Sequence, residues 1–163
     1  MDTTDILIKI RKIVRSINLE SKKIQKEHGV SIPQVLCLNY LHSSPNYQAT
    51  QGDIRKFLNL NSSTASGIID RLETKGMIAR LPKSGDKRVV NIALTSKGDK
   101  LVKAIPALLH EQLSIKLQKL DDQTLAKIKS SLDLMIDMLE INGIEASPLI
   151  TIESNLDDNP NGI

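Results

Sequence analysis

Three histidines and one cysteine are the side chains of this 163-residue chain that metal or nucleophilic chemistry would need first. His28, His42 and His110 fall on three different predicted helices, with no H-x-x-x-H spacing and no carboxylate cluster beside them, so no metal site is expected. Cys37 stands alone, so it closes no disulfide within one chain and builds no thiolate zinc site. It sits between Leu36 and Leu38 in an apolar stretch, where burial would raise its pKa and keep it a thiol. No Ser/His/Asp order and no phosphate-cradling glycine loop is present, and Gly76 and Gly98 read as helix-end glycines. Neither catalysis nor a cofactor is expected. The remaining chemistry is charge. Residues 45–98 carry nine Lys/Arg against four Asp/Glu, and residues 1–44 carry seven against four. Residues 99–144 carry six against seven, and 145–163 none against four. The formal net charge of +3 therefore conceals a basic centre, where a polyanion would bind, and an acidic tail that would repel one.

Composition narrows the class of polyanion. With only 2% aromatic residues there is little for unpaired bases to stack on, which argues against a single-strand binder. Tyr40, Tyr47 and Phe57 are also too few for a cation cage. No apolar run approaches the roughly 18 residues of a membrane span, and Asp2 and Asp5 replace a signal peptide's basic start. A cytoplasmic protein without membrane contact is expected.

The elements that would position the basic centre follow from periodicity. Ile6, Ile10, Ile13, Ile17 and Ile24 form one stripe of a first helix that stops at Gly29. Ser31-Ile32-Pro33-Gln34 is a capping box opening a largely apolar helix to about His42. Thr50 caps a short helix carrying Ile54, Phe57 and Leu58. Asn61 caps another, which turns Ala65, Ile68, Ile69 and Leu72 inward and stops at Gly76. Two short helices so joined form a helix-turn-helix. Two β-rich runs, Met77 to Leu81 and Val89 to Leu94, flank the basic turn Pro82-Lys83-Ser84-Gly85-Asp86-Lys87-Arg88 and predict a two-stranded hairpin, a wing.

Thr95 caps a long helix carrying Leu101, Ile105, Leu108, Leu109 and Leu113, with a kink expected near Val102 because Pro106 removes a hydrogen bond. Asp121 caps the last helix, where Leu125, Ile128, Leu132, Met135 and Leu139 form a heptad seam ending at Asn142-Gly143. A short strand is possible by composition at Leu149 to Ile152. The terminal helices expose more apolar surface than the central unit can cover. They could pack on each other within one chain. A symmetric dimer is favoured, because two-fold symmetry also doubles what one short helix can read.

The stretch Asp70-Arg71-Leu72-Glu73-Thr74-Lys75-Gly76, then Arg80, then Asp86-Lys87-Arg88-Val89-Val90-Asn91-Ile92-Ala93-Leu94-Thr95 and Gly98, resembles the MarR family of bacterial transcription regulators. The resemblance covers roughly residues 5–142, with the motifs confined to 50–98. It implies a mainly α fold with a small two-stranded β wing, a winged helix-turn-helix with N- and C-terminal dimerisation helices. The implied divisions are a dimerisation helix at 1–29, the DNA-binding domain at 30–98, dimerisation helices at 99–144 and an acidic tail at 145–163. The implied function is a homodimeric regulator of pseudo-palindromic double-stranded operator DNA, most simply a repressor released by a small-molecule effector.

By the same resemblance Asn61 to Lys75 is the recognition helix, leaving Ser62, Ser63, Thr64, Ser66, Gly67 and Asp70 for the major groove. Gly67 departs from the family, which often has a long basic residue there, so base readout by this helix is thin and the wing and DNA shape carry more. In the family pattern Asp86 pairs with Arg88 and extends it toward the minor groove. Lys83 and Lys87 add phosphate contacts, as do Arg55 and Lys56, or Lys75. Without the family match, Asp86 and Arg88 would equally be an exposed surface ion pair. Some relatives sense oxidants through a cysteine near the start of the first helix, which leaves a redox repressor acting through Cys37 as one alternative. A winged-helix module for protein contact is the other. An effector would bind between the dimerisation helices and the DNA-binding lobe, and no residue is assigned to it.

Overall fold

The computed structural model describes residues 2–144; the acidic tail and the strand expected at 149–152 lie outside them. The described residues form two compact units, one ending at Ile105 and one beginning at Pro106.

The first unit opens with α1 (Thr3–His28), capped by Asp2, whose Oδ1 accepts from Thr4 N at 2.8 Å. Gly29 ends it with φ 68°, a left-handed conformation that glycine adopts without strain. Of the isoleucine stripe, Ile24 is buried, whereas Ile6, Ile13 and Ile17 are exposed in the single chain. The Ser31/Gln34 capping box is present and opens α2 (Ile32–Ser43), with Pro33 in its first turn. Eight of the twelve residues of α2 are buried, because it is the central element of this unit, packed against α3 (Gln51–Leu58), α4 (Ser62–Thr74), α5 (Ser96–Ala104) and the sheet.

Cys37 is fully buried in α2, and burial pushes its thiol up to about 12. A thiol so held is unreactive near neutrality. Folded protein should therefore resist alkylation at neutral pH and label only after denaturant is added. Rapid stoichiometric labelling of the folded chain would show the thiol to be available for redox sensing.

A single 3₁₀ turn (Pro45–Tyr47) leads into a strand that sequence periodicity does not announce, β1 (Gln48–Thr50). The sheet therefore has three strands rather than two, in the order β1-β3-β2, with β2 (Ile78–Arg80) and β3 (Asn91–Leu94). All pairing is antiparallel, Ala49 opposite Ile92 and Ala79 opposite Ala93. Three residues are too few to show alternation, and β1 owes its pairing to the free edge of β3. The strands of the hairpin are also shorter than expected. Val89 and Val90 lie outside β3, and the Val90 carbonyl accepts instead from Gln51 N at the start of α3, at 2.8 Å.

Pro106 ends a helix rather than kinking one. Ile105, before the proline, is extended (φ −88°, ψ 125°), as the clash with a following proline ring favours, and α5 stops at Ala104. The second unit contains α6 (Leu109–Leu117) and α7 (Asp122–Met138), the latter capped by Asp121 as its sequence predicts. No residue of α7 is buried, and its seam residues Leu132 and Leu139 are 52% and 62% exposed.

Candidate nucleic-acid interface

The two helices of the helix-turn-helix are fixed from both ends. Thr50 caps α3, exchanging hydrogen bonds with Asp53, and Asn59 closes it in the left-handed region. Asn61 caps α4 through Thr64 N at 2.8 Å. Ala65, Ile68, Ile69 and Leu72 are buried on one face of α4, which turns Ser62, Ser63 and Asp70 outward; Thr64, Ser66 and Gly67 are half-buried beside them. Ser66 is not free. Its Oγ accepts from Gln51 Nε2 at 2.9 Å, so the first residue of α3 holds a side chain of α4.

Asp70 is likewise engaged, in an ion pair with Arg80. Arg80 stands on β2, and Glu73 one turn along α4 accepts from both its guanidinium (2.8 Å) and its backbone N (3.0 Å). Those two hydrogen bonds hold the Glu73 carboxyl below the usual glutamate range, and the carboxylates in turn raise Arg80. The spacing Asp-x-x-Glu thus places two carboxylates on one face of α4 around one guanidinium, tying helix to sheet. Of the residues chosen for the groove, Asp70 is the one whose local role is this clamp.

Lys75 is half-buried. Its Nζ donates to the Gly29 carbonyl at 2.6 Å, where it meets the negative end of α1, and partial burial lowers its pKa. Lys97 donates to the Lys75 carbonyl at 2.7 Å and serves the end of α4 in the same way. Lys75 therefore has a capping role within the fold.

The loop between β2 and β3 carries Lys83, Asp86, Lys87 and Arg88, all exposed. Asp86 Oδ1 accepts from both the backbone N (3.0 Å) and Nε (3.2 Å) of Arg88, and Oδ2 from a terminal guanidinium nitrogen at 3.3 Å. The hydrogen bonds from Arg88 keep Asp86 ionised below its ordinary range. The Arg88 side chain is nevertheless 92% exposed, so it is oriented at one edge and free at the other. That is the geometry of a cation aimed outward at low entropic cost.

At the base of the wing, Thr95 Oγ1 donates to the Gly76 carbonyl at 2.6 Å and accepts from Gly98 N at 3.2 Å, while Thr95 N donates to the Met77 carbonyl. Gly98 is therefore more than a helix-end residue. It is buried in the first turn of α5, and a β-carbon there would lie 2.2 Å from the Met77 carbonyl oxygen. The Leu-Thr-x-x-Gly run is a joint between sheet and α5.

Gly67 is the reverse case. A β-carbon there meets nothing within 4 Å and its backbone is ordinary helix, so Gly67→Ala should raise stability by about 1 kcal/mol in thermal melts. Reduced duplex affinity in that stabilised variant would show close approach of α4 to DNA; unchanged affinity would show that the glycine is merely tolerated.

His42 lies 3.4 Å from Asp99 and His28 near Glu27, so the histidines serve separate local contacts, and no group of three metal-ligating side chains is found among the described residues. Gln51 and Arg80 were not legible as site residues. Gln51 resembles part of a helix cap, and Arg80 a strand cation. Arg80 stands in the motif that carries the resemblance, and the Asp-x-x-Glu spacing upstream is the signal of its partners.

A short α3, an α4 with one polar outward face, and a sheet whose loop holds an outward arginine define a winged helix-turn-helix. Residues 30–90 match the model for the MarR family. The chain is 25% identical over 128 residues to the uncharacterized HTH-type transcriptional regulator YsmB of Bacillus subtilis, covering 78% of this chain and 86% of that one. It is 25% identical over 143 residues to the transcriptional repressor MprA of Escherichia coli, covering 85% and 81%. S. aureus MepR, in a crystal structure with DNA, superposes with a TM-score of 0.60 at 27% identity, over 80% of this chain and 96% of that one. The likeness to the MarR family thus lies in residues 30–90, which hold the helix-turn-helix and the loop after it. The relatives YsmB and MprA are transcription regulators by their descriptions. No helix among the described residues is long and apolar enough to cross a membrane.

Proposed function

We propose that two copies of this chain bind a pseudo-palindromic duplex operator in the cytoplasm and repress transcription until a small molecule releases them. The observation that carries this reading is the Asp86-held, 92% exposed Arg88, in a chain whose α4 also presents a hydroxyl-lined face. In this reading Ser62, Ser63, Thr64, Ser66 and Gly67 face the major groove, with Asp70 bracing the helix behind them. Arg88 enters the minor groove with Asp86 as its support, and Lys83, Lys87, Arg55 and Lys56 neutralise phosphates. Residues 30–98 form the DNA-binding part, while 1–29 and 99–144 supply the dimer. The dimer is supported by apolar side chains that one chain leaves uncovered, Ile13, Val14 and Leu19 on α1 and Leu132, Leu134 and Leu139 on α7. Release follows if the effector binds more tightly to a spacing of the two DNA-binding parts that does not fit the operator. The fully buried Cys37 weighs against an oxidant as the signal.

The test is equilibrium binding to duplexes selected from random DNA, repeated across salt concentrations. Two copies with several cations each should lose affinity by on the order of a thousandfold between about 50 and 200 mM salt. Affinity that ignores salt, or a pool with no enriched sequence, would refute the reading.

A further inference from the structure

Several serines within these helices turn their hydroxyl hydrogen back onto a carbonyl one turn earlier, while the buried Ser21 Oγ has no partner among the described residues. Ser16 Oγ donates to the Lys12 carbonyl at 2.8 Å, Ser43 to Asn39 at 3.0 Å and Ser131 to Lys127 at 2.8 Å. Ser66 does not. Its Oγ accepts from Gln51 Nε2, and among the described residues its own hydrogen meets no acceptor. Gln51 is held for this task. It is the first residue of α3 behind the Thr50 cap, and its backbone N is fixed by the Val90 carbonyl at 2.8 Å. A hydroxyl has one hydrogen and two lone pairs, so with Gln51 on one lone pair Ser66 keeps its hydrogen for another acceptor and one lone pair besides. Ser66 is half-buried, next to the glycine at 67 that leaves the surface of α4 open.

Resting on the reading that α4 meets the major groove, we propose that Gln51 determines specificity by making Ser66 a hydrogen-bond donor toward DNA. The base opposite Ser66 in each half-site then presents an acceptor: guanine O6 or N7, adenine N7 or thymine O4. Gln51 acts through Ser66 and is a positioning residue.

The experiment is selection of bound duplexes from one random pool, at one salt concentration, by the wild-type chain and by Gln51→Met, Gln51→Glu and Ser66→Ala, with thermal melts of each. Gln51→Met and Ser66→Ala should lose about fivefold or more of preference at one base pair per half-site, with the rest of the enriched sequence unchanged. In Gln51→Glu the carboxylate takes the Ser66 hydrogen, so the Ser66 lone pairs face the groove and preference should swing toward cytosine N4 or adenine N6. Identical enriched sequences from wild type, Gln51→Met and Ser66→Ala would overturn the proposal. So would a loss of preference spread over every position together with a fall in melting temperature, the mark of a structural role. If the wild-type chain enriches nothing, the DNA-binding reading itself fails.

Discussion

Replacing Arg88 by alanine is expected to weaken the best-bound duplex by about five- to a hundredfold while leaving thermal unfolding where it was. Both halves of this expectation follow from one geometry. The side chain is 92% exposed and its only partner among the described residues is Asp86, two residues away in the same loop, so the described core does not depend on it. Exposed pairs of this kind contribute little to stability. What the pair does supply is direction: Asp86 accepts from the backbone and the guanidinium at once, which fixes the loop and the side chain together. Arg88→Lys should recover only part of the affinity, since a lysine keeps the charge but loses the planar fork that two carboxylate oxygens align. Asp86→Ala should fall between wild type and Arg88→Ala. Titrations of one selected duplex at fixed salt read all four proteins. Equal affinity for wild type and Arg88→Ala would remove the wing from the account.

The second large effect is on stability. Gly98→Ala places a methyl group 2.2 Å from the Met77 carbonyl oxygen and 2.7 Å from Leu94 Cδ1, both far inside contact distance. The carbonyl cannot retreat freely, because it accepts from Thr95 N at 3.1 Å and immediately precedes the strand β2. Relief requires α5 to move from the sheet, opening the Thr95 bonds to Gly76 and Gly98. Overpacking of this order costs about 1–3 kcal/mol, which lowers the melting temperature by about 5–15 °C for a unit of this size. Thr95→Val removes both hydroxyl bonds without adding bulk and should cost less. A melting temperature unchanged in Gly98→Ala would mean that the joint between sheet and α5 is looser than its distances indicate.

These two residues also mark what the sequence could and could not disclose. Helix ends were legible because they are local: Ser31, Thr50, Asn61, Thr95 and Asp121 each cap the helix that their side chains announce. The two carboxylates of the α4 motif were visible, but their partner was not, since Arg80 meets them only once β2 folds back along α4. Strand β1 was missed for the same reason. Its three residues have no pattern of their own and pair through the edge of β3. Pro106 within a helical pattern predicts a kink, yet the extended Ile105 before it lets the chain leave the helix altogether. Gly98 looked like a helix end because sequence shows a glycine's position but not what approaches it. The outward residues Ser62, Ser63, Lys83, Lys87 and Arg88 lie where periodicity and turn composition put them, exposed. Gln51 escaped notice because a glutamine beside a capping threonine has an ordinary local explanation, and its bond to Ser66 spans fifteen residues.

The most direct measurement of the account is a hydroxyl-radical footprint of this protein on the duplex it selects best. Two copies reading through α4 and the wing should protect two patches related by a dyad, with centres about one helical turn apart, or a multiple of that, and with minor-groove protection at the flanks that disappears in Arg88→Ala. Protection without dyad symmetry, or flanks untouched by the loss of Arg88, would contradict it.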